Sequence, residues 1–135
     1  VYDLSGGAWE RTASYVANNY KNLLIYGESL AYGAGILKTT STKYTMVYPF
    51  DSSVDNNTKT DNEENVNAAS NANYAKNIKI YGDGIREVSS SGTGASSWKN
   101  DSSIFAGLHH PFVVKGGYFW NSSNAGIFYF DRHQR

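Results

Sequence analysis

The chain has 135 residues, with 12 basic and 12 acidic side chains, a formal net charge of zero and a sequence pI near 7.0. That length fits one domain with a core of its own, and the balanced, scattered charge speaks against bulk attraction to nucleic acid or to an acidic membrane. The absence of cysteine excludes disulfides, thiolate metal sites and cysteine nucleophiles. No apolar run in these residues reaches the roughly 18 of a membrane helix and none has the pattern of a signal peptide, so membrane insertion of this stretch is not expected.

Residues 9–16 alternate large and small side chains, as a strand does, although the pattern alone also admits a helix. Asn18 and Asn19 break it. Leu23, Leu24, Ile25 and Tyr26 form a short apolar run closed by Gly27, and residues 29–35 read as loop. Residues 39–73 are the most polar part. Within them residues 51–73 read as a polar insertion, dominated early on by Asp, Asn, Ser, Thr and Glu. Alanines between residues 63 and 76 suggest a short helix capped by Asp61 or Asn62.

Strand chemistry returns in the last third. Residues 78–81 alternate, residues 82–84 punctuate, and residues 85–88 alternate again. Residues 89–97 are a Ser/Gly loop. Pro111, Phe112, Val113 and Val114 lead into Gly116-Gly117, and residues 126–130 give the strongest strand pattern.

Little in the pattern points to catalysis. His109 and His110 are adjacent, which on a strand turns them to opposite faces, and a loop before Pro111 is the plainer reading. The serines lack a nucleophile-elbow frame, and Gly82-Asp83-Gly84 lacks the Lys-Ser/Thr of a phosphate loop. Asp83 and Glu87 would share a strand face, but solvation or bonding to loop backbone accounts for them better than paired acid–base work. Asn-x-Ser/Thr sequons begin at Asn56, Asn100 and Asn121 and matter only along a glycosylating route. Residues 118–124, Tyr-Phe-Trp-Asn-Ser-Ser-Asn, have the composition of a binding loop: flat aromatics give contact area at small entropic cost, and Asn and Ser give adaptable hydrogen bonds. Trp120 fits a core position equally well.

Tyr2-Asp3-Leu4-Ser5-Gly6-Gly7-Ala8-Trp9-Glu10 resembles the Y-D-M-x-G-N-V-W-E-W signature of the formylglycine-generating-enzyme family, a branch of the C-type-lectin-like fold. Gly82-Asp83-Gly84-Ile85-Arg86-Glu87, followed by Ser97-Trp98-Lys99-Asn100-Asp101, resembles the G-D-A-x-x-E-T-S and S-W-N-G-D stretch of a bacterial and prophage subgroup. Val114-Lys115-Gly116-Gly117-Tyr118-Phe119-Trp120 with Ala125-Gly126-Ile127-Phe128 is similar to the family's R-G-G-S-W and A-G-x-F-x-F segment.

The resemblance implies an α+β, C-type-lectin-like fold of twisted antiparallel strands with long loops, in one domain over residues 1–135 that is a piece of a longer chain. By position it implies a calcium cage of the Asp3 and Glu10 side chains and the Gly6 and Ala8 carbonyls, a hard-oxygen set suited to that ion. An ordinary Gly-Gly turn with Asp3 capping its own backbone fits the same residues. The family's oxidase uses a cysteine pair and copper, and this chain has no thiolate to hold copper(I), so that activity is not expected.

The expected role is a non-catalytic ligand-binding or adhesion module of a bacterial surface or prophage protein, located outside the cell, on its surface or on a virion. Its partner would be a cell-surface protein or glycan. The candidate ligand residues are Trp98, Trp120, Asn121, Asn124, Tyr129 and Asp131, with Ser123 and His133 as further exposed positions. A structural scaffold in a virion or appendage, one copy in a larger assembly, is the alternative; an enzyme of unknown reaction is the third.

Overall fold

The computed structural model describes residues 9–53, 66–77, 83–117 and 125–133. Two helices and two sheets make a mixed α and β architecture. The main sheet contains β1 (Glu10–Val16), β4 (Met46–Tyr48), β5 (Phe112–Lys115) and β6 (Phe130–His133), in the order β4-β1-β5-β6. β5 runs antiparallel to β1 and to β6, whereas β4 runs parallel to β1. The expectation of antiparallel strands is corrected at that pair. A parallel neighbour needs a crossover, and α1 (Lys21–Ala31) with the small hairpin β2 (Tyr32–Gly33) and β3 (Ile36–Leu37) lies within it.

Strand alternation sorts the core into two clusters. Tyr15, Val47 and Phe112 lie with Leu23 and Ala31 of α1 in one. Their chain neighbours Val16, Tyr48 and Val113 lie in the other, with Phe105, Phe130 and Tyr74 of α2 (Val66–Lys76). Successive residues of each strand therefore face opposite helices, the period-two rule made visible in packing. Between Arg11 and Tyr15 the β1–β5 register shifts, and the Thr12 hydroxyl there donates to the Val113 carbonyl at 2.8 Å.

The alternation of residues 9–16 thus forms a strand, and Asn18 ends it: its side-chain amide donates to the Val16 carbonyl and its Oδ1 accepts from the Tyr20 N–H. The short apolar run at residues 23–26 is part of α1, and so is the start of the loop expected at 29–35, as far as Ala31, after which β2 begins. Gly27 does not end the helix but kinks it, at the non-helical φ −133° and ψ 19°, where a Cβ would lie 2.5 Å from the Phe112 ring. Small residues at 27 and 31 were the docking stripe rather than a loop signal.

The polar stretch 39–73 contains a core strand, β4, with Val47 and Tyr48 buried, and the start of α2, as the alanines suggested. Residues 85–88, expected as strand, are turn and bend: the Glu87 N–H donates to the Asp83 carbonyl at 2.9 Å, and the Asp83 carboxylate takes the Ile85 N–H. Residues 126–128 are likewise turn, closed by the Tyr129 N–H on the Gly126 carbonyl, so the last strand begins only at Phe130. The strand expected at 78–81 lies outside the described residues.

Candidate functional site

Trp98 opens a single 3-10 turn, Trp98–Asn100, and is 60% exposed. A large aromatic in water normally turns inward, so what holds it out matters. The Trp98 N–H donates to the Val88 carbonyl at 2.8 Å, and Ser89 and Ser97 form a bridge just behind it. The Ser97 hydroxyl donates to the Asp101 carbonyl, closing the turn from the other side. Lys99 and Asn100 both stand in the left-handed region, at φ 64° and 62°. Such a conformation costs a non-glycine residue about 1–2 kcal/mol, and it persists because the bonds on either side over-determine it.

Asp101 joins this turn to the one before β6. It is 7% exposed, and its Oδ2 accepts the Phe128 N–H at 3.0 Å. Gly126 passes so close to that oxygen that a Cβ there would push the Asp101 carboxylate off the Phe128 N–H. The Phe128 ring consequently meets Trp98 edge to face, centroids 5.4 Å apart. Ile127 beside it is 56% exposed. Trp98, Ile127 and Phe128 form an aromatic and aliphatic patch on two locked turns, with exposed Lys99 and Asn100 at its margin.

Of the expected ligand residues, Trp98 is on this surface. Tyr129, expected to be exposed, is not: it is 1% exposed, because β6 begins only at Phe130 and the turn before it carries the ring into the core. Its hydroxyl donates to Asp131 Oδ2 at 2.7 Å. Asp131 is half-buried, and burial raises its pKa above the ordinary carboxylate value, against the opposing bonds from Tyr129 and the Arg132 N–H. His133 packs edge to face with Trp9, centroids 5.3 Å apart. Trp120, Asn121, Ser123 and Asn124 lie outside the described residues, as do Asp3, Gly6 and Ala8. Glu10, the remaining expected calcium ligand, opens β1 with its side chain exposed, opposite Lys115 on β5. Among the described residues no group of three or more His, Cys, Asp or Glu side chains is placed to hold a metal, and no helix is long and apolar enough to cross a membrane.

Sequence reasoning missed Ile127, Phe128 and the positioning role of Asp101. A Gly-Ile-Phe run reads as strand; the signal for a turn was Gly126 itself, which a strand interior disfavours. His109, read as a loop residue, is in a bend and fully buried, edge-on to Tyr20 at 4.5 Å. The chain matches no protein-family model, no curated protein and no solved structure.

Proposed function

We propose that this chain is a non-catalytic ligand-binding or adhesion module whose binding face is centred on Trp98. The observation that carries the reading is an exposed tryptophan held outward by a fixed turn at the cost of two left-handed residues. Rigid aromatic anchors of this kind supply most of the energy at recognition surfaces, because little side-chain entropy is lost on contact. The partner is a cell-surface protein or glycan, and the chain belongs to a bacterial surface or prophage protein working outside the cell or on a virion. The three motif blocks that resemble formylglycine-generating enzymes support a C-type-lectin-like scaffold for this face, and the lack of cysteine separates the chain from that family's oxidase chemistry.

The decisive experiment is a glycan and cell-surface binding screen with Trp98→Ala as control. A central aromatic truncation costs about 2 kcal/mol, or roughly 30-fold in affinity. Undiminished binding by a folded Trp98→Ala protein sinks the reading.

Calcium is part of the same proposal. Glu10 suits it as a solvated carboxylate, and the ion would tie the segment carrying Asp3, Gly6 and Ala8 to the start of β1. Calcium at a hundred times its Kd would then stabilise the protein by about 2.7 kcal/mol. A melting scan that gives no calcium shift, or the same shift in Glu10→Ala, removes the ion from the reading.

One observation favours the scaffold alternative. Leu24, Ile25 and Tyr26 on the outer side of α1 are 48%, 60% and 47% exposed. Contiguous apolar surface of this sort marks subunit contacts. Sedimentation at increasing concentration separates the two: self-association abolished by Leu24→Glu with Ile25→Glu supports the scaffold, and a monomer at all concentrations supports the binding module.

A further inference from the structure

A second site lies where the cover over the sheet stops short. Glu10, Thr12 and Ser14 share one face of β1, and Met46 and Lys115 are placed beside them on β4 and β5. Between this end of the sheet and the turn at residues 83–85 is a cleft of about 230 Å³ whose lining includes Thr12, Ser14, Met46, Asp83, Ile85 and Lys115. That is room for several waters, or for one compact organic molecule.

The charges in the cleft are incomplete. Asp83 is 4% exposed, and its Oδ1 accepts both the Tyr48 hydroxyl at 2.8 Å and the Ile85 N–H at 3.0 Å. Those bonds fix the carboxylate, yet Oδ2 is buried and receives no hydrogen bond. Sealing a polar atom from water without a partner is unfavourable, and native structures rarely leave one so without cause. Lys115 enters the same cleft from β5, half-buried, and makes no ion pair with Asp83 among the described residues. Burial lowers its pKa from the ordinary ammonium value, an effect that the charge of Asp83 opposes.

One buried acceptor and one half-buried donor thus sit in a single cleft without meeting, while the carboxylate of Glu10, opposite Lys115 across the ladder, is exposed to solvent. A metal ion suits this poorly, because it would place a second cation against Lys115. A purely anionic or purely cationic ligand would satisfy one group and repel the other. What fits is a molecule carrying both charges on a small frame, with the Ser14 hydroxyl available to it and Met46 and Ile85 against its apolar part.

We propose that this cleft binds a free α-amino acid or an equally compact zwitterion, its ammonium group toward Asp83 and its carboxylate toward Lys115. The site shares no residue with the Trp98 patch and stands or falls independently of it.

The test is a titration with the common L-amino acids, with methylamine, acetate and glucose as controls, read by amide NMR shifts at Ser14, Gly84, Ile85 and Lys115. At least one amino acid should move these signals saturably, and methylamine and acetate should bind at least about tenfold more weakly. Lys115→Met should stay folded, since it removes a poorly hydrated cation, and should lose the amino acid by about tenfold or more. Asp83→Asn should weaken binding too, but Asp83 also supports Tyr48, so the lysine variant carries the decision. The proposal is overturned if no amino acid moves these amides at millimolar concentration, if glucose does so instead, or if Lys115→Met binds as well as the parent.

Discussion

The two helices cover opposite faces of one sheet by different means. α1 docks through Leu23, Gly27 and Ala31, an apolar row spaced by four residues, and its glycine lets the Phe112 ring touch the helix backbone. α2 also packs an aromatic, Tyr74, into the core, but adds side-chain amides and a hydroxyl. Ser70, Asn73 and Asn77 are buried on its inner side: Ser70 donates to the Phe105 carbonyl, Asn73 accepts the Asp51 N–H and donates to the Ala106 carbonyl, and Asn77 donates to the Asn73 carbonyl. The difference follows from what each helix meets. α1 lies on a strand surface whose backbone bonds are already made within the sheet. α2 lies on irregular chain, where buried carbonyls and N–H groups need partners from side chains.

The contrast can be broken at defined places. Leu23→Ala should be the most damaging change, destabilising by about 3 kcal/mol through a cavity under α1, measured by urea denaturation. Asn73→Ala should cost about 2 kcal/mol, because it strands the Asp51 N–H and the Ala106 carbonyl. If it costs less than a surface substitution, the amides of α2 are not what secures it.

The close-approach glycines beside the two helices, Gly27 and Gly92, sharpen the comparison further. At Gly92 a Cβ would lie 2.6 Å from the Ser70 carbonyl oxygen, in the backbone of α2, whereas at Gly27 its closest contact is Phe112 Cζ, at the far end of a side chain that can tilt about χ1. Gly92→Ala should therefore lose about 2 kcal/mol and Gly27→Ala about 1 kcal/mol, read as the difference between their melting transitions. Equal losses would mean that the Phe112 ring is as immobile as a helix backbone.

The smallest effect is electrostatic and belongs to the α2 side. Hydrogen bonds from the Ser53 hydroxyl and N–H hold the Asp51 carboxyl below its ordinary value. A lowered carboxylate pKa contributes stability that is present above the unfolded value and lost as the pH falls through the folded one. Asp51 is close to solvent, so the loss should stay under about 1 kcal/mol. Asp51→Asn should flatten the acid limb of the stability curve by that amount; an unchanged limb would show that Asp51 does not anchor α2 electrostatically. Asp131 runs the other way. Its raised pKa gives stability at low pH that disappears as the pH rises through the folded value, so Asp131→Asn should gain relative to the parent at neutral pH.

How much could be read from the residues depended on the length of each signal. β1 declared itself through alternation ended at Asn18, β5 through an apolar run between Pro111 and Gly116, and the alanines pointed to α2. β4 is three residues long, too short for a period to appear, and it lies in a stretch whose polarity masked it. α1 was hidden because a glycine inside a helix looks like a boundary until the ring it accommodates is known. In the site, the tryptophan was readable and its support was not. Trp98 stands out by type, whereas Asp101 and Gly126 matter only through a contact between residues far apart in sequence. Tyr129 was misplaced for the same reason: its direction is set by where the strand begins, which depends on that contact.

The pairing of β1 with β5 bears on how the chain is made. The bond from Thr12 to the Val113 carbonyl joins residues 101 apart in sequence, and every ladder bond between these two central strands is of this kind. At a synthesis rate of about 5–20 residues per second, β1 waits several seconds or longer on the ribosome before its main partner exists. During that interval the chain between them can build α1 and the small hairpin, but the central sheet cannot close. Folding should therefore be gated by the arrival of the last quarter of the chain, and slow for a domain of this size.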